Sequence, residues 1–181
     1  LLSLLGTPES TATYYVAYTL AFTLSVVTTF FASSTLSTMT RLFAESTSAF
    51  AEFIKRSVES MLFIGAPIAV VGTILAVPII RALSSEELTS RAGTTLALLF
   101  VAVGITFINS VSSQALFAAH QQMFLLRLNV ISLLINIVLN IALIPMFGAV
   151  GAASALVVTE LIGLVVTTIR LSQLSAYRTP W

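Results

Sequence analysis

Cysteine and aspartate are both absent from the 181-residue sequence, and histidine occurs once, at His120. The absence of cysteine excludes disulfide bonds and thiolate metal sites. With one histidine and no aspartate, the sequence also gives no basis for a metal centre built from side chains. The same shortage leaves no set of nucleophile, base and orienting group, so the sequence does not predict an enzyme. We therefore expect no catalytic residues, no metal and no cofactor.

Charged residues are also scarce. They make up 8% of the chain, whereas hydrophobic residues make up 57%, and soluble domains carry about 25% charged residues. The mean hydropathy is +1.05. The net charge of +1 gives no electrostatic signal for nucleic-acid binding. The composition therefore predicts a protein surrounded by membrane lipid.

The long uncharged runs decide the fold class. A membrane-spanning helix needs about 20 apolar residues, and a β-barrel would show alternating segments of about ten residues. The runs here are much longer than such strands, so we predict an all-α polytopic membrane helix bundle. Pro145 and Gly148 divide the longest run, because proline removes a backbone donor and glycine relaxes φ. Five complete spans result, at about residues 12–40, 60–81 (entered from an amphipathic segment at 48–59), 93–118, 122–144 and 149–170.

The two ends of the chain are too short to form further spans. Residues 1–5, LLSLL, would extend only about 8 Å as a helix. We interpret them as the stump of a span truncated upstream, and we expect the chain to be a fragment. The predicted organisation is a single transmembrane lobe over residues 1–175, followed by a tail at 176–181.

The cations predict the orientation of the spans. If the spans alternate, six Lys and Arg residues fall on one side of the membrane and two on the other. The positive-inside rule places the richer side in the cytoplasm. Loops 41–59 and 119–127 and the C-terminus are then cytoplasmic, in a multi-pass protein of a bacterial or archaeal cell membrane. The richer side holds Arg41, Lys55, Arg56, Arg127, Arg170 and Arg178, and the other holds Arg81 and Arg91.

Amide side chains are concentrated on two of the spans. Asn129, Asn136 and Asn140 fall within about 40° of one another on a helix with 100° per residue. This stripe fits either hydrogen bonding between helices or the wall of a hydrated cavity. Asn109 and Gln114 lie on the preceding span. Serine and threonine can bond back to their own backbone, but we expect these two amides to need a neighbour or water.

Glu160 lies near the middle of the last span. A carboxylate at that depth costs about 2.5 kcal/mol or more unless it is paired, neutralised or hydrated. It is therefore a functional candidate, although a protonated, hydrogen-bonded structural acid is the alternative. The predicted substrate-binding residues are Asn109, Gln114, Asn136, Asn140 and Glu160.

Two further patterns concern packing. In the last span, Gly148 precedes Ala152 by four residues and Gly151 precedes Ala155 by four. This spacing of small residues lets helix backbones approach closely. It predicts that the spans at 122–144 and 149–170 form a close antiparallel pair.

One run is characteristic of a family. The pattern N-x3-N-x2-LIP-x-FG-x-x-GAA begins at Asn136, within NSVSSQALFAAHQQMFLLRLNVISLLINIVLNIALIPMFGAVGAASALVV. Together with GTPESTATYYVAYTL near the start, it resembles the polysaccharide transporters (Wzx-type) of the multidrug/oligosaccharidyl-lipid/polysaccharide exporter superfamily. The resemblance implies fourteen spans in two six-helix lobes plus two helices, and alternating access. This chain would be the second lobe, with a truncated first span.

The resemblance also implies a function and partners. The substrate would be an oligosaccharide linked to polyprenyl pyrophosphate, flipped across the cytoplasmic membrane for polysaccharide biosynthesis. The partners would be this substrate, membrane lipid and the missing N-terminal lobe. Two alternatives remain open. The first is a cation-coupled multidrug antiporter of the same superfamily, with Glu160 as the coupling acid. The second is a membrane scaffold without transport, in which all five candidate residues are buried between helices.

Overall fold

The computed structural model describes residues 2–83 and 89–174, and these residues form seven α-helices and no strand. Five helical segments are long and apolar enough to cross a membrane. The predicted all-α polytopic bundle with five spans is therefore confirmed. The side chain of Arg91, residue Arg178 and the predicted tail at 176–181 lie outside the described residues. The helices are α1 (Leu2–Leu5), α2 (Pro8–Thr23), α3 (Val26–Glu45), α4 (Thr47–Leu83), α5 (Thr89–Ala118), α6 (Gln122–Phe147) and α7 (Ala149–Leu174).

The first span is interrupted at Leu24 and Ser25, between α2 and α3. The N–H groups of both residues bond to carbonyls three residues back instead of four. The hydroxyl groups of Thr23, Ser25 and Thr28 donate to nearby backbone carbonyls at 2.6 Å. Such bonds compete with the helical pattern and bend helices. The span predicted over 12–40 is therefore made of two helices, α2 and α3, rather than one.

α4 is one continuous helix from Thr47 to Leu83. The amphipathic segment at 48–59, which was expected to precede the span, forms the first part of α4. The apolar side of this segment is buried in the bundle rather than lying alone at the membrane surface, because α3 and α5 both pack on α4. The buried residues are Phe50, Ile54, Val58 and Met61.

α6 ends later than the sequence suggested. Pro145 was expected to end the helix near 144, but the helix continues to Phe147. Pro145 removes the bond to the carbonyl four residues earlier, but its fixed φ is helical, and the Gly148 N–H bonds to the Ile144 carbonyl beyond it. Gly148 ends the helix instead, with φ of 56°, a conformation that glycine adopts without steric cost. The chain then enters α7 at Ala149.

α5 lies at the centre of the described bundle, packed against α2, α3, α4, α6 and α7. Its residues Leu96, Leu99, Val103 and Phe107 are fully buried. The spacing of three or four residues places them along one face. Because α5 is surrounded, its polar residues meet neighbouring helices rather than lipid.

α6 and α7 form the close antiparallel pair predicted from the small residues. Gly151, Ala152 and Ala155 are buried, and a side chain at Gly151 would collide with the backbone carbonyl of Leu143 on α6. Gly148 serves the turn between the helices. The close approach of these two helices, predicted from the small residues, is thus confirmed.

Candidate substrate cavity between α5, α6 and α7

A cavity of about 290 Å³ lies where α5, α6 and α7 meet, and we call it the central cavity. Leucine side chains and Gly163 form the apolar part of its wall. It reaches the molecular surface, because Leu133 is 59% exposed and Asn129 is also exposed. Eight of its lining side chains are polar: Asn109, Ser113, Asn129, Ser132, Asn136, Thr159, Glu160 and Thr167.

Helical spacing brings these polar residues to one place. On α6 the lining residues Asn129, Ser132 and Asn136 are three and four positions apart, so they share a face. On α7, Glu160 and Thr167 are separated by two turns, with Gly163 between them. The three helices each contribute one polar face to the same cavity.

Glu160 belongs to a hydrogen-bonded chain that joins α7 to α5. Asn109 Nδ2 donates to Glu160 Oε2 at 3.3 Å, and Thr167 Oγ1 donates to Asn109 Oδ1 at 3.2 Å. Gly163 leaves room for this amide, since a Cβ there would lie 3.2 Å from Asn109 Nδ2. The Asn109 amide is therefore held in one orientation by two groups of α7.

A second chain joins α7 to α6. Asn136 Nδ2 donates to Thr159 Oγ1 at 3.2 Å. Asn140 Nδ2 donates to Asn136 Oδ1 at 2.7 Å and to the Asn136 backbone carbonyl at 2.8 Å. Asn140 is buried and does not line the cavity. It acts as a positioning residue for Asn136, whose amide has one N–H left for a ligand.

Among the described residues, the central cavity is lined by one ionisable side chain, the Glu160 carboxyl, and by no Lys or Arg. The ion pairs found among residues 2–83 and 89–174 are Arg41–Glu45 and Arg56–Glu52, both exposed. Arg170 binds elsewhere, with Nη2 donating to Gln121 Oε1 at 2.9 Å. Among the described residues, no group of three or more His, Cys, Asp or Glu side chains is placed to hold a metal ion.

Gln114 lies apart from the central cavity. It lines a second pocket of about 370 Å³ between α3 and α5, which we call the Gln114 pocket. Of the five predicted binding residues, Asn109, Asn136 and Glu160 thus line the central cavity, Asn140 supports one of them, and Gln114 occupies the neighbouring pocket.

The hydroxyl groups of α7 were not predicted as part of the site from the sequence. Thr159 and Thr167 complete the two hydrogen-bonded chains, yet threonine in a span is common and usually bonds to its own backbone. A signal was present in the four-residue steps from Thr159 to Gly163 and from Gly163 to Thr167. This spacing places Thr159, Gly163 and Thr167 on one side of the last span, near Glu160, so that this side is polar and has room for a neighbouring side chain at Gly163.

A family model described as MatE matches residues 1–142. The matched part includes Asn109, Gln114, Asn136 and Asn140, and it ends before α7 and Glu160. No curated protein and no solved structure matches the chain.

Proposed function

Because the chain belongs to the MatE family of membrane transporters, we propose that the central cavity binds the transported substrate, an oligosaccharide linked to polyprenyl pyrophosphate. Transport would occur by alternating access, with this lobe rocking against an N-terminal lobe. Membership of the family supports transport across a membrane. The sugar substrate is our proposal.

The observation that carries the proposal is the neutral, hydrogen-bonding wall of the central cavity. Seven of its eight polar side chains are uncharged amides or hydroxyls, which both donate and accept hydrogen bonds. Sugar hydroxyls have the same dual capacity. Because no cation lines this cavity, its chemistry suits the sugar rather than the pyrophosphate. The family-like run from Asn136 to Ala153 supports the same substrate class.

Glu160 supports a second candidate, a cation-coupled multidrug antiporter. Its carboxylate lines the cavity and forms no ion pair with any described residue. In this alternative the acid would bind the coupling cation or an organic cation, and the amides would orient it. The two candidates differ in the chemistry of the cargo and in their need for an ion gradient.

Transport by the protein with both lobes present, measured in proteoliposomes, separates the two functions, because the proposed mechanism needs both lobes. One probe is a fluorescent polyprenyl-pyrophosphate N-acetylglucosamine, whose arrival in the opposite leaflet is read by quenching from outside. The other is tetraphenylphosphonium, whose accumulation is measured under an imposed proton or sodium gradient. We expect movement of the lipid-linked sugar without gradient-driven accumulation of the cation. Gradient-driven accumulation alone would establish the antiporter, and movement of neither probe would favour the scaffold.

The Glu160→Gln variant tests the acid in the same assay. We expect transport to fall about tenfold, the effect of losing one charge-assisted hydrogen bond, while the amount of folded protein in the membrane stays unchanged. Glu59→Gln is the matched control, because Glu59 is an exposed acid outside the cavity. Equal transport by both variants would show that the Glu160 carboxyl does not contribute to substrate transport.

A further inference from the structure

The Gln114 pocket adjoins the central cavity. Ser113 and Leu125 line both of them. Ser113 precedes Gln114 on α5, and Leu125 lies on the facing part of α6. The two spaces are therefore neighbours that share these two side chains, and we call them together the trough, with Glu160 and Asn136 at one end and Gln114 at the other.

The wall of the Gln114 pocket is polar and lies on α5, a helix apolar enough to cross a membrane. Thr28, Thr29, Ser110 and Ser113 surround the Gln114 amide. Thr28 directly follows the break between α2 and α3, so the interruption of the first span helps to form this wall. Thr28 and Ser110 bond to backbone carbonyls of their own helices.

Gln114 and Ser113 keep unused hydrogen-bonding capacity. Within residues 2–83 and 89–174, no side-chain hydrogen bond involves either residue, whereas Asn109 and Asn136 have partners on α7. An amide that faces hydrocarbon without a partner is costly. These two side chains therefore need a polar occupant, and an acyl chain of a membrane lipid would not supply one.

We propose that the trough binds an extended sugar chain, with one sugar unit in the central cavity and a following unit against Gln114. This inference rests on the proposed oligosaccharide substrate. Each space alone is near the lower end of ligand sites, which span about 300–1,000 Å³, and together they fall well inside that range. Gln114 is then a specificity residue for the length of the sugar chain, and Ser113 forms the passage between the two units.

Two lipid-linked probes of different length test the trough in proteoliposomes. One carries N-acetylglucosamine and the other a pentasaccharide on the same polyprenyl pyrophosphate. Gln114→Leu removes the amide at nearly constant volume, at a residue that lines the Gln114 pocket alone. In this variant we expect pentasaccharide transport to fall roughly three- to tenfold, the effect of losing one neutral hydrogen bond. Transport of the monosaccharide probe should be unchanged, which also shows that the variant is folded.

Gln122→Leu is the control, because Gln122 is an exposed amide that lines neither space. Equal loss for both probes, or no loss for either, would overturn the trough while leaving the proposed function intact. A wild-type protein that moves neither probe would instead contradict the proposed function itself.

Thiol protection gives an independent readout, since the chain has no cysteine of its own. Ser132→Cys places a thiol in the central cavity alone, and Ser110→Cys places one in the Gln114 pocket alone. We expect the monosaccharide probe to protect only the first variant from a water-soluble thiol reagent, and the pentasaccharide probe to protect both. Protection of the Ser110→Cys variant by the short probe, or by neither probe, would contradict the trough.

Discussion

At the scale of single residues, the amides of the bundle divide by what they bond to. Asn109 and Asn136 bond across to α7, whereas Asn140 bonds within its own helix, to the residue four positions earlier. The stripe of three asparagines on α6 thus combines both interpretations offered for it. Asn136 links two helices and faces the cavity, Asn140 supports it, and Asn129 lies at the exposed rim.

Replacing Asn109 by leucine should weaken the contact between α5 and α7. Two interhelical hydrogen bonds are lost, at about 0.6 kcal/mol each, so the free energy of unfolding should fall by about 1 kcal/mol. Reversible unfolding in mixed micelles measures the difference. Asn129→Leu is the matched control, because the Asn129 amide makes no hydrogen bond with the described residues. Equal destabilisation by the two substitutions would mean that these bonds do not hold α5 to α7.

The candidate site could be predicted from sequence only in part. Asn109, Asn136 and Glu160 were singled out because amides and acids are costly in hydrocarbon, and the structure brings them to one cavity. Gln114 was grouped with Asn109 because both lie on the same span, but Gln114 lines a separate pocket formed with α3. Helical periodicity gives the face of a residue, whereas the identity of the neighbouring helix depends on tertiary packing.

At the scale of secondary-structure elements, the contact between α4 and α5 depends on glycine. Gly65 and Gly72 both lie on α4. In the structure, a Cβ at Gly65 would lie 2.9 Å from Phe107 Cβ, and one at Gly72 would overlap the Phe100 ring. Both glycines therefore make space for aromatic rings of α5, so that the two helices pack closely.

The Gly72→Ala substitution should destabilise the bundle by about 1–3 kcal/mol, the usual cost of overpacking. Phe100→Leu introduced in the same chain should recover part of this loss, because the smaller side chain makes room for the methyl group. A double-mutant cycle of unfolding free energies measures the coupling. Val71→Ala, at a half-exposed neighbouring position, is the control. Additive effects of the two core substitutions would contradict the close contact.

Spans were predictable because hydropathy and length alone decide them, and all five predicted spans are present. The break at Leu24 and Ser25 was not, because hydropathy does not register hydroxyl bonds to the backbone. The end of α6 was misplaced for a related reason. Proline removes one backbone bond but keeps a helical φ, so its position alone does not give the residue at which the helix ends.

At the scale of the whole molecule, the orientation in the membrane remains a prediction from the cations. The turn at His120, between α5 and α6, lies on the side assigned to the cytoplasm, and Met146, at the end of α6, lies on the opposite side. Both residues are exposed. They are therefore suitable positions for probing the two sides.

Single-cysteine labelling in intact cells tests this orientation. We expect a membrane-impermeant thiol reagent to label the Met146→Cys variant directly and the His120→Cys variant only after permeabilisation. The unsubstituted chain is the control, because it contains no thiol to react. The reverse pattern of labelling would invert the orientation and move loops 41–59 and 119–127 to the outside.

The two adjacent residues Thr159 and Glu160 limit how the bundle can deform. One is bonded to α6 and the other to α5, so a tilt of α7 toward either neighbour would stretch the bond on the opposite side. Moving α7 away from either neighbour therefore breaks one of these bonds, whereas a displacement that carries α5, α6 and α7 together breaks neither. Bending outside these three helices costs neither bond, and the break at Leu24 and Ser25 lies there.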